Sequence, residues 1–323
     1  MKRISAFPLA FQKPDGPKPL RLGLVGLGRW GTNYAETIRS IDGLELCAIA
    51  TKSQRPKMHG ETFQTCNWLD FLALPELDGV IIASSPEMHF KMAATFLAKG
   101  LPVLLEKPAC FKVLCCEALM KLSFTRSTPC VVGYTHLYSS AYRSLKRNRH
   151  ANNAAPKIRS SGLSNGPFRT NVDVLWDWGS HDVAMCLDFL SEFPVDVTVK
   201  LEESEPSKPN ACIYSLGLRF PSGATSISRF GNISPVKERT FCVSSKHGET
   251  CYDGLDQKLV EINGTSKRHF DYSQAPLPLT NLIVDFANCI LNKDRFHPSL
   301  ALAVEVTKVL STAEFKLIYQ KRK

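Results

Sequence analysis

"RLGLVGLGRWGTNYAETIRSI", residues 21–41, is the stretch on which the fold turns. The apolar run Leu22–Val25 reads as a strand, and the residues after Gly31 carry the apolar spacing of a helix. Between them stand Gly26, Leu27, Gly28, Arg29, Trp30 and Gly31. Each glycine has a physical use in such a loop: Gly26 for a tight turn, Gly28 for close approach of a pyrophosphate to the backbone, and Gly31 for close packing of the helix. The N–H groups at the helix amino terminus favour an anion at the same place. The order strand, glycines, helix predicts a dinucleotide-binding loop that includes Arg29 and Trp30. The bland alternative is an ordinary glycine-rich turn.

The neighbouring segments extend this reading. LELCAIA (44–50) is a second strand, and it runs into Thr51, Lys52, Ser53, Gln54 and Arg55. An NAD-selective fold usually places an acid there for the ribose 2′-hydroxyl, and this chain has none. A small hydroxyl residue followed by Lys and Arg suits a 2′-phosphate, so NADP is favoured over NAD, with exposed loop charges as the alternative. GVIIAS (79–84) reads as a buried parallel strand, PEMHFKMAATFLAKG as a helix starting at Pro86, and LPVLLEKP as the next strand. Alternating strands and helices imply a doubly wound sheet, whose ligands sit beyond the carboxyl ends of the strands. Ser84, Ser85, Glu106 and Lys107 fall there. A lysine ending an apolar strand is more commonly a solvated terminus; at this edge it can instead face a ligand.

With these residues placed, the chain resembles the Gfo/Idh/MocA oxidoreductases, the family of glucose-fructose oxidoreductase and inositol dehydrogenase. The resemblance rests on GLGRWG (26–31), on IIASSPEMH (81–89) with Pro86 and His89, on EKP (106–108), and on WDWGSHDVAMCLDFL (176–190) with Asp177 and His181 four apart. It covers residues 21–315. It implies an amino-terminal Rossmann domain and a carboxy-terminal α+β domain whose open, mostly antiparallel sheet forms one wall of a substrate pocket. It also implies hydride transfer between a nicotinamide and a carbinol carbon of a sugar, polyol or sugar nucleotide.

In that scheme His181 accepts the hydroxyl proton, since imidazole titrates near neutrality. Lys107 hydrogen-bonds the same oxygen, and Asp177 positions both substrate and His181. Ser84, Ser85, Pro86, His89 and Glu106 join the cofactor set, with Glu106 at the nicotinamide ribose. Tyr134, His136, Arg169 and Trp176 are candidates for the pocket wall, Trp176 by stacking on a sugar face. The family's sheet also implies a homodimer or homotetramer formed over an apolar face. Two departures keep substrate identity from being carried over: SSAYRSLKRNRHANNAAPK, after Tyr138, lacks the Arg-Phe often found there, and the segment before Trp176 is compact. A non-catalytic dinucleotide-binding regulatory subunit on the same fold is the alternative, against which the set Lys107, Asp177 and His181 argues.

Past VVGYTHLY (131–138) the alternation stops and strands accumulate at 195–203, 212–220, 224–234 and 240–245. Turn residues such as Pro221-Ser222-Gly223 support antiparallel pairing. Two helices close the chain, over 279–292 and from Ser299 onward, and ESEPSKPN (203–210) reads as a surface loop. The expected organisation is a tail over 1–20, a Rossmann domain over 21–134 and a substrate and oligomerisation domain over 135–323.

Composition bounds the function. The 323 residues are 44% hydrophobic, enough for a substantial core, and no apolar run is long enough to span a membrane. The formal charge is +10, yet the basic stretches SLKRNRH (144–150) and QKRK (320–323) are short and have no aromatic interleaving, so no nucleic-acid role is expected. Eleven cysteines, an odd count without a CxxC pair, suggest neither a disulfide framework nor a zinc site, and point to a reducing cytoplasm. Asp182 beside His181 hints at a metal pair, but no further ligand stands at useful spacing, so no metal is expected.

Overall fold

The computed structural model describes residues 11, 18–52, 62–148, 155–246 and 248–320. Most of the expected tail, together with Ser53, Gln54 and Arg55, lies outside the described residues. The chain forms two compact units, Met1–Tyr134 with Leu279–Val304, and Thr135–Pro278 with Glu305–Lys323.

The first unit is built on six parallel strands: β1 (Leu20–Val25), β2 (Leu44–Ala50), β3 (Phe63–Thr65), β4 (Gly79–Ile82), β5 (Val103–Leu105) and β6 (Cys130–Val132). Their spatial order is β3-β2-β1-β4-β5-β6. The winding reverses between β1 and β4, and the loops after those two strands adjoin at the switch point. Every residue of β4, β5 and β6 is buried, as a sheet covered on both faces requires. Helix α1 (Arg29–Ser40) buries Gly31, Tyr34, Ala35 and Ile38, one stripe at helical spacing. Helices α2 (His89–Ala98) and α3 (Val113–Arg126) make the later crossovers.

The remaining cover comes from late in the sequence. Gly79 packs beneath α7 (Pro278–Leu291) so closely that a Cβ there would lie 2.8 Å from Ile290 Cδ1 and 2.9 Å from Phe286 Cζ. Ser299, in the first turn of α8 (Pro298–Gln320), accepts the Val132 N–H at 2.8 Å. Residues 279–304 therefore group with the parallel sheet, whereas the sequence reading assigns everything after 134 to the second domain.

The second unit holds an eight-stranded sheet. Its strands are β7 (Lys157–Asn165), β8 (Asp196–Ser204), β9 (Cys212–Arg219), β10 (Thr225–Gly231), β11 (Ile233–Ser245), β12 (Gly248–Asp253), β13 (Lys258–Asn263) and β14 (Ser266–Asp271). The order is β14-β13-β12-β11-β7-β10-β9-β8, and all neighbours are antiparallel except β7 and β10. Helices α4 (Ser140–Arg147), α5 (Val174–Asp177) and α6 (Gly179–Leu190) complete the unit. Tyr142 of α4 meets Phe241 edge to face at 5.8 Å, and a Cβ on Gly179 would come within 2.8 Å of Phe230 Cζ, so both helices rest directly on the sheet.

Positions that alternate with these are polar. Arg229 pairs with Glu202 and Glu203, Arg159 with Glu249, and Ser161 donates to Glu238, while Ile227 is 59% exposed among them. One further expectation is corrected. Cys242 and Cys251, directly opposite in the β11–β12 ladder, form a disulfide, and the other nine cysteines are free.

Candidate active site

The glycine loop after β1 has the geometry an anion-binding turn needs. Gly26 has φ of +96°, and a Cβ there would lie 2.6 Å from the Ala83 carbonyl oxygen, so both backbone conformation and the adjoining β4 loop demand glycine. Gly31 is held tighter still: a Cβ would overlap the Gly26 carbonyl, which seats α1 against the turn. Gly28 differs from both. It is exposed, has ordinary extended backbone, and an added Cβ would meet nothing within 4 Å. Protein packing gives no reason for glycine there, whereas a ligand phosphate pressed against the backbone does. No side chain caps the amino terminus of α1. The residues thus fit a dinucleotide pyrophosphate over Gly28, Arg29, Trp30 and Gly31. Replacing Gly28 by alanine should leave the unfolding midpoint unchanged and weaken dinucleotide binding roughly tenfold, read by fluorescence titration beside a thermal melt.

At the end of β2, Thr51 donates its N–H to Thr65 O at 2.9 Å and is half-buried, while Lys52 is exposed. Beyond β4, Ser84 is half-buried, Ser85 exposed and Pro86 buried. His89 is fully buried, with Nδ1 2.9 Å from Pro108 O and Nε2 3.2 Å from Ser84 O. Burial lowers its pKa despite those carbonyls and keeps the ring neutral, with one N–H to donate. His89 is therefore a strut between the loops after β4 and β5, and a direct cofactor contact is not what its buried ring offers.

Those loops carry the acid and the lysine. Glu106 is 5% exposed and Lys107 9%, which excludes a solvated strand terminus. Tyr34 on α1 donates its hydroxyl to Glu106 Oε1 at 2.7 Å, and the Lys107 N–H donates to Glu106 Oε2 at 3.1 Å. Gly133, after β6, leaves room for this carboxylate, since a Cβ there would sit 3.2 Å from Oε1. The sequence holds no sign of Tyr34's part: it occupies an ordinary core position of α1, and only the fold brings its hydroxyl to EKP. Tyr134 is 1% exposed, and burial raises its phenol pKa well above the usual range.

The second unit pairs Arg169 with Asp177, and His136 with His181. Asp173 caps α5 by accepting the Leu175 N–H at 2.7 Å, and Asp177 closes that short helix. α5 ends on Asp177, two residues before α6 begins. Arg169 Nε lies 3.4 Å from Asp177 Oδ2, so the carboxylate, 7% exposed, has a cation beside it. His181 stands in the first turn of α6, its ring edge to face with His136 at 4.9 Å between centroids. Trp176 is only 3% exposed and donates Nε1–H to Glu314 at 3.0 Å, which makes it a core residue instead of an open stacking platform.

Asp182 is fully buried and accepts from Arg239 Nη1 at 2.9 Å.

Comparison with known proteins agrees with this geometry. Residues 20–134 match the model of the oxidoreductase family with an NAD-binding Rossmann fold, Gfo/Idh/MocA. The rhizopine catabolism protein MocA of Rhizobium meliloti is 36% identical over 93 residues, 27% of this chain and 29% of that protein. A UDP-N-acetylglucosamine 3-dehydrogenase of Acidithiobacillus ferrooxidans is 25% identical over 55% of this chain and 56% of its own length. The chain thus spans little more than half, or less, of the length of the curated relatives it matches. Among solved structures, a candidate oxidoreductase from Magnetospirillum magnetotacticum MS-1 superposes with a TM-score of 0.81 at 27% identity, covering 92% of this chain and all of that one. Residues 20–134 thus match the Rossmann domain of the Gfo/Idh/MocA oxidoreductases, and the chain is similar over nearly all its length to a solved structure described as an oxidoreductase.

Proposed function

We propose that the protein is an NAD(P)-dependent dehydrogenase or reductase acting on a CH–OH carbon of a sugar, polyol or sugar nucleotide. The observation that carries this reading is Lys107. It is a buried lysine at the carboxyl end of β5, in a domain whose Gly28 leaves space at the head of α1. The nicotinamide, when bound, supplies or accepts the hydride. The chain's own residues handle the proton and the substrate oxygen. Lys107 donates to that oxygen and stabilises alkoxide charge as it develops. Glu106, fixed by Tyr34, holds the backbone of Lys107. His181 takes the hydroxyl proton in the oxidative direction, and Asp177 orients substrate hydroxyls while Arg169 balances its charge.

The test is a dinucleotide titration of the purified chain followed by a screen of sugars, inositols and sugar nucleotides for change in nicotinamide absorbance. Turnover of a polyhydroxylated alcohol or ketone supports the proposal. Tight dinucleotide binding with no turnover across that panel would favour a binding subunit instead.

NADP is the cofactor we favour, because no acid stands at Thr51 or Lys52 to bind a ribose 2′-hydroxyl and repel a phosphate. NADPH should bind at least about tenfold more tightly than NADH, and Lys52→Asp should erase or reverse that preference. Equal affinities in the unaltered chain would refute it.

A further inference from the structure

Away from these loops, α7 and the turn into α8 bring three side chains of ligand chemistry together. Asp285 and Cys289 lie four apart on α7 and share a helix face, and His297 stands immediately before α8. A carboxylate oxygen of Asp285, Cys289 Sγ and a His297 ring nitrogen all lie within 4.8 Å of one another. The three residues are 6%, 4% and 5% exposed. Hydrogen bonds fix the imidazole. The Ser299 N–H donates to Nδ1 at 3.2 Å, so Nδ1 accepts, and Nε2–H donates to Asp285 Oδ2 at 3.0 Å. Ser299 Oγ sits 2.7 Å from Nδ1 and also accepts the Val132 N–H of β6.

The geometry points to a divalent transition-metal site formed by Asp285, Cys289 and His297, with zinc as the ion that best suits the donors. Carboxylate, thiolate and imidazole are all zinc ligands. One carboxylate and one thiolate balance a dication, and the exposed Asp294 carboxylate, hydrogen-bonded to the Cys289 thiol, adds a further acid beside the three donors. The protons balance as well. The Cys289 proton leaves to solvent, and the imidazole proton passes from Nε2 to Nδ1, where Ser299 Oγ accepts it and the Ser299 N–H gives up its own donation to Nδ1. That contact is the outer partner that orients a metal-ligating histidine. Water fills the fourth position. Cys242, Glu249 and Cys251 lie equally close together, but their sulfurs are bonded to each other and are not donors in this state.

The probe is Co2+, added to the metal-free chain carrying Cys242→Ser and Cys251→Ser so that those sulfurs cannot contribute. The expected result is binding of one equivalent with a thiolate-to-cobalt charge-transfer band, which zinc then displaces. Cys289→Ser, nearly isosteric, should abolish that band, and His297→Gln should weaken binding on the order of a hundredfold. Zinc content of the same parent chain after dialysis against the ion reads the site without relying on either variant to fold. A parent chain that takes up no cobalt or zinc, or a thiolate band that survives Cys289→Ser, overturns the assignment.

Discussion

Lys107→Ala should lower turnover on the order of a hundredfold or more while dinucleotide affinity changes little. The reason lies in where the residue sits. At 9% exposure Lys107 has left most of its water, and its backbone N–H is bound to the Glu106 carboxylate that Tyr34 holds from α1. A strand end kept only for solubility would be exposed and would tolerate alanine. If the ammonium acts on the reacting oxygen, the loss falls on kcat, because that contact strengthens as alkoxide charge develops. Lys107→Arg should not restore the rate, since a guanidinium is wider and does not give up its proton. His181→Ala should depress turnover similarly. Tyr34→Phe gives a graded control, because it loosens Glu106 without removing the lysine, and its loss should be smaller than that of Lys107→Ala. Steady-state kinetics with a working substrate, run beside a dinucleotide titration of each variant, separates these outcomes, and near-normal turnover in Lys107→Ala would remove the lysine from the mechanism.

How much of this the sequence carries depends on whether a feature is local. The glycine loop is legible because backbone conformation at Gly26 and close packing at Gly31 leave no other residue possible, so the motif states its own geometry. EKP is legible for a related reason, as charge placed abruptly after an apolar strand. The central strand of the second sheet, β7, is not. KIRSSGLSN lacks the β-branched and aromatic run that marks strands, and its buried positions are Ile158, Ser160, Gly162 and Leu163. Its strand character comes from neighbours far along the chain, β10 and β11.

The hairpin of β13 and β14 was within reach, since Asn263-Gly264 between two short alternating runs is a turn signal, and Gly264 has φ of +57°. The Cys242–Cys251 bond depended on strand register, which cysteine spacing does not reveal. Residues Asp285, Cys289 and His297 match no compact ligand spacing, and their meeting depends on how the turn between α7 and α8 closes. His89, Tyr34 and Trp176 teach one lesson together: residue type suggested contact with a ligand or a plain core role, and only the hydrogen bonds show which.

Arg239→Met should cost about 3–5 kcal/mol of stability, far more than loss of a surface ion pair. Arg239 on β11 is 7% exposed, and its partner Asp182, in the first turn of α6, is fully buried. Space for the guanidinium comes from β7, where Gly162 has no side chain and a Cβ would lie 2.6 Å from Arg239 Nη1. Nη2 rests 3.1 Å from Met185 Sδ on the same helix. Methionine fills similar volume without charge, so the loss measures the carboxylate left behind and not a cavity. Adding Asp182→Leu removes the stranded charge and should recover most of the loss at neutral pH, as apolar replacements of buried pairs do elsewhere. Urea midpoints of the parent, Arg239→Met and the double variant decide it: a deficit below about 1 kcal/mol, or one that Asp182→Leu does not relieve, would show that Asp182 is balanced by something other than Arg239.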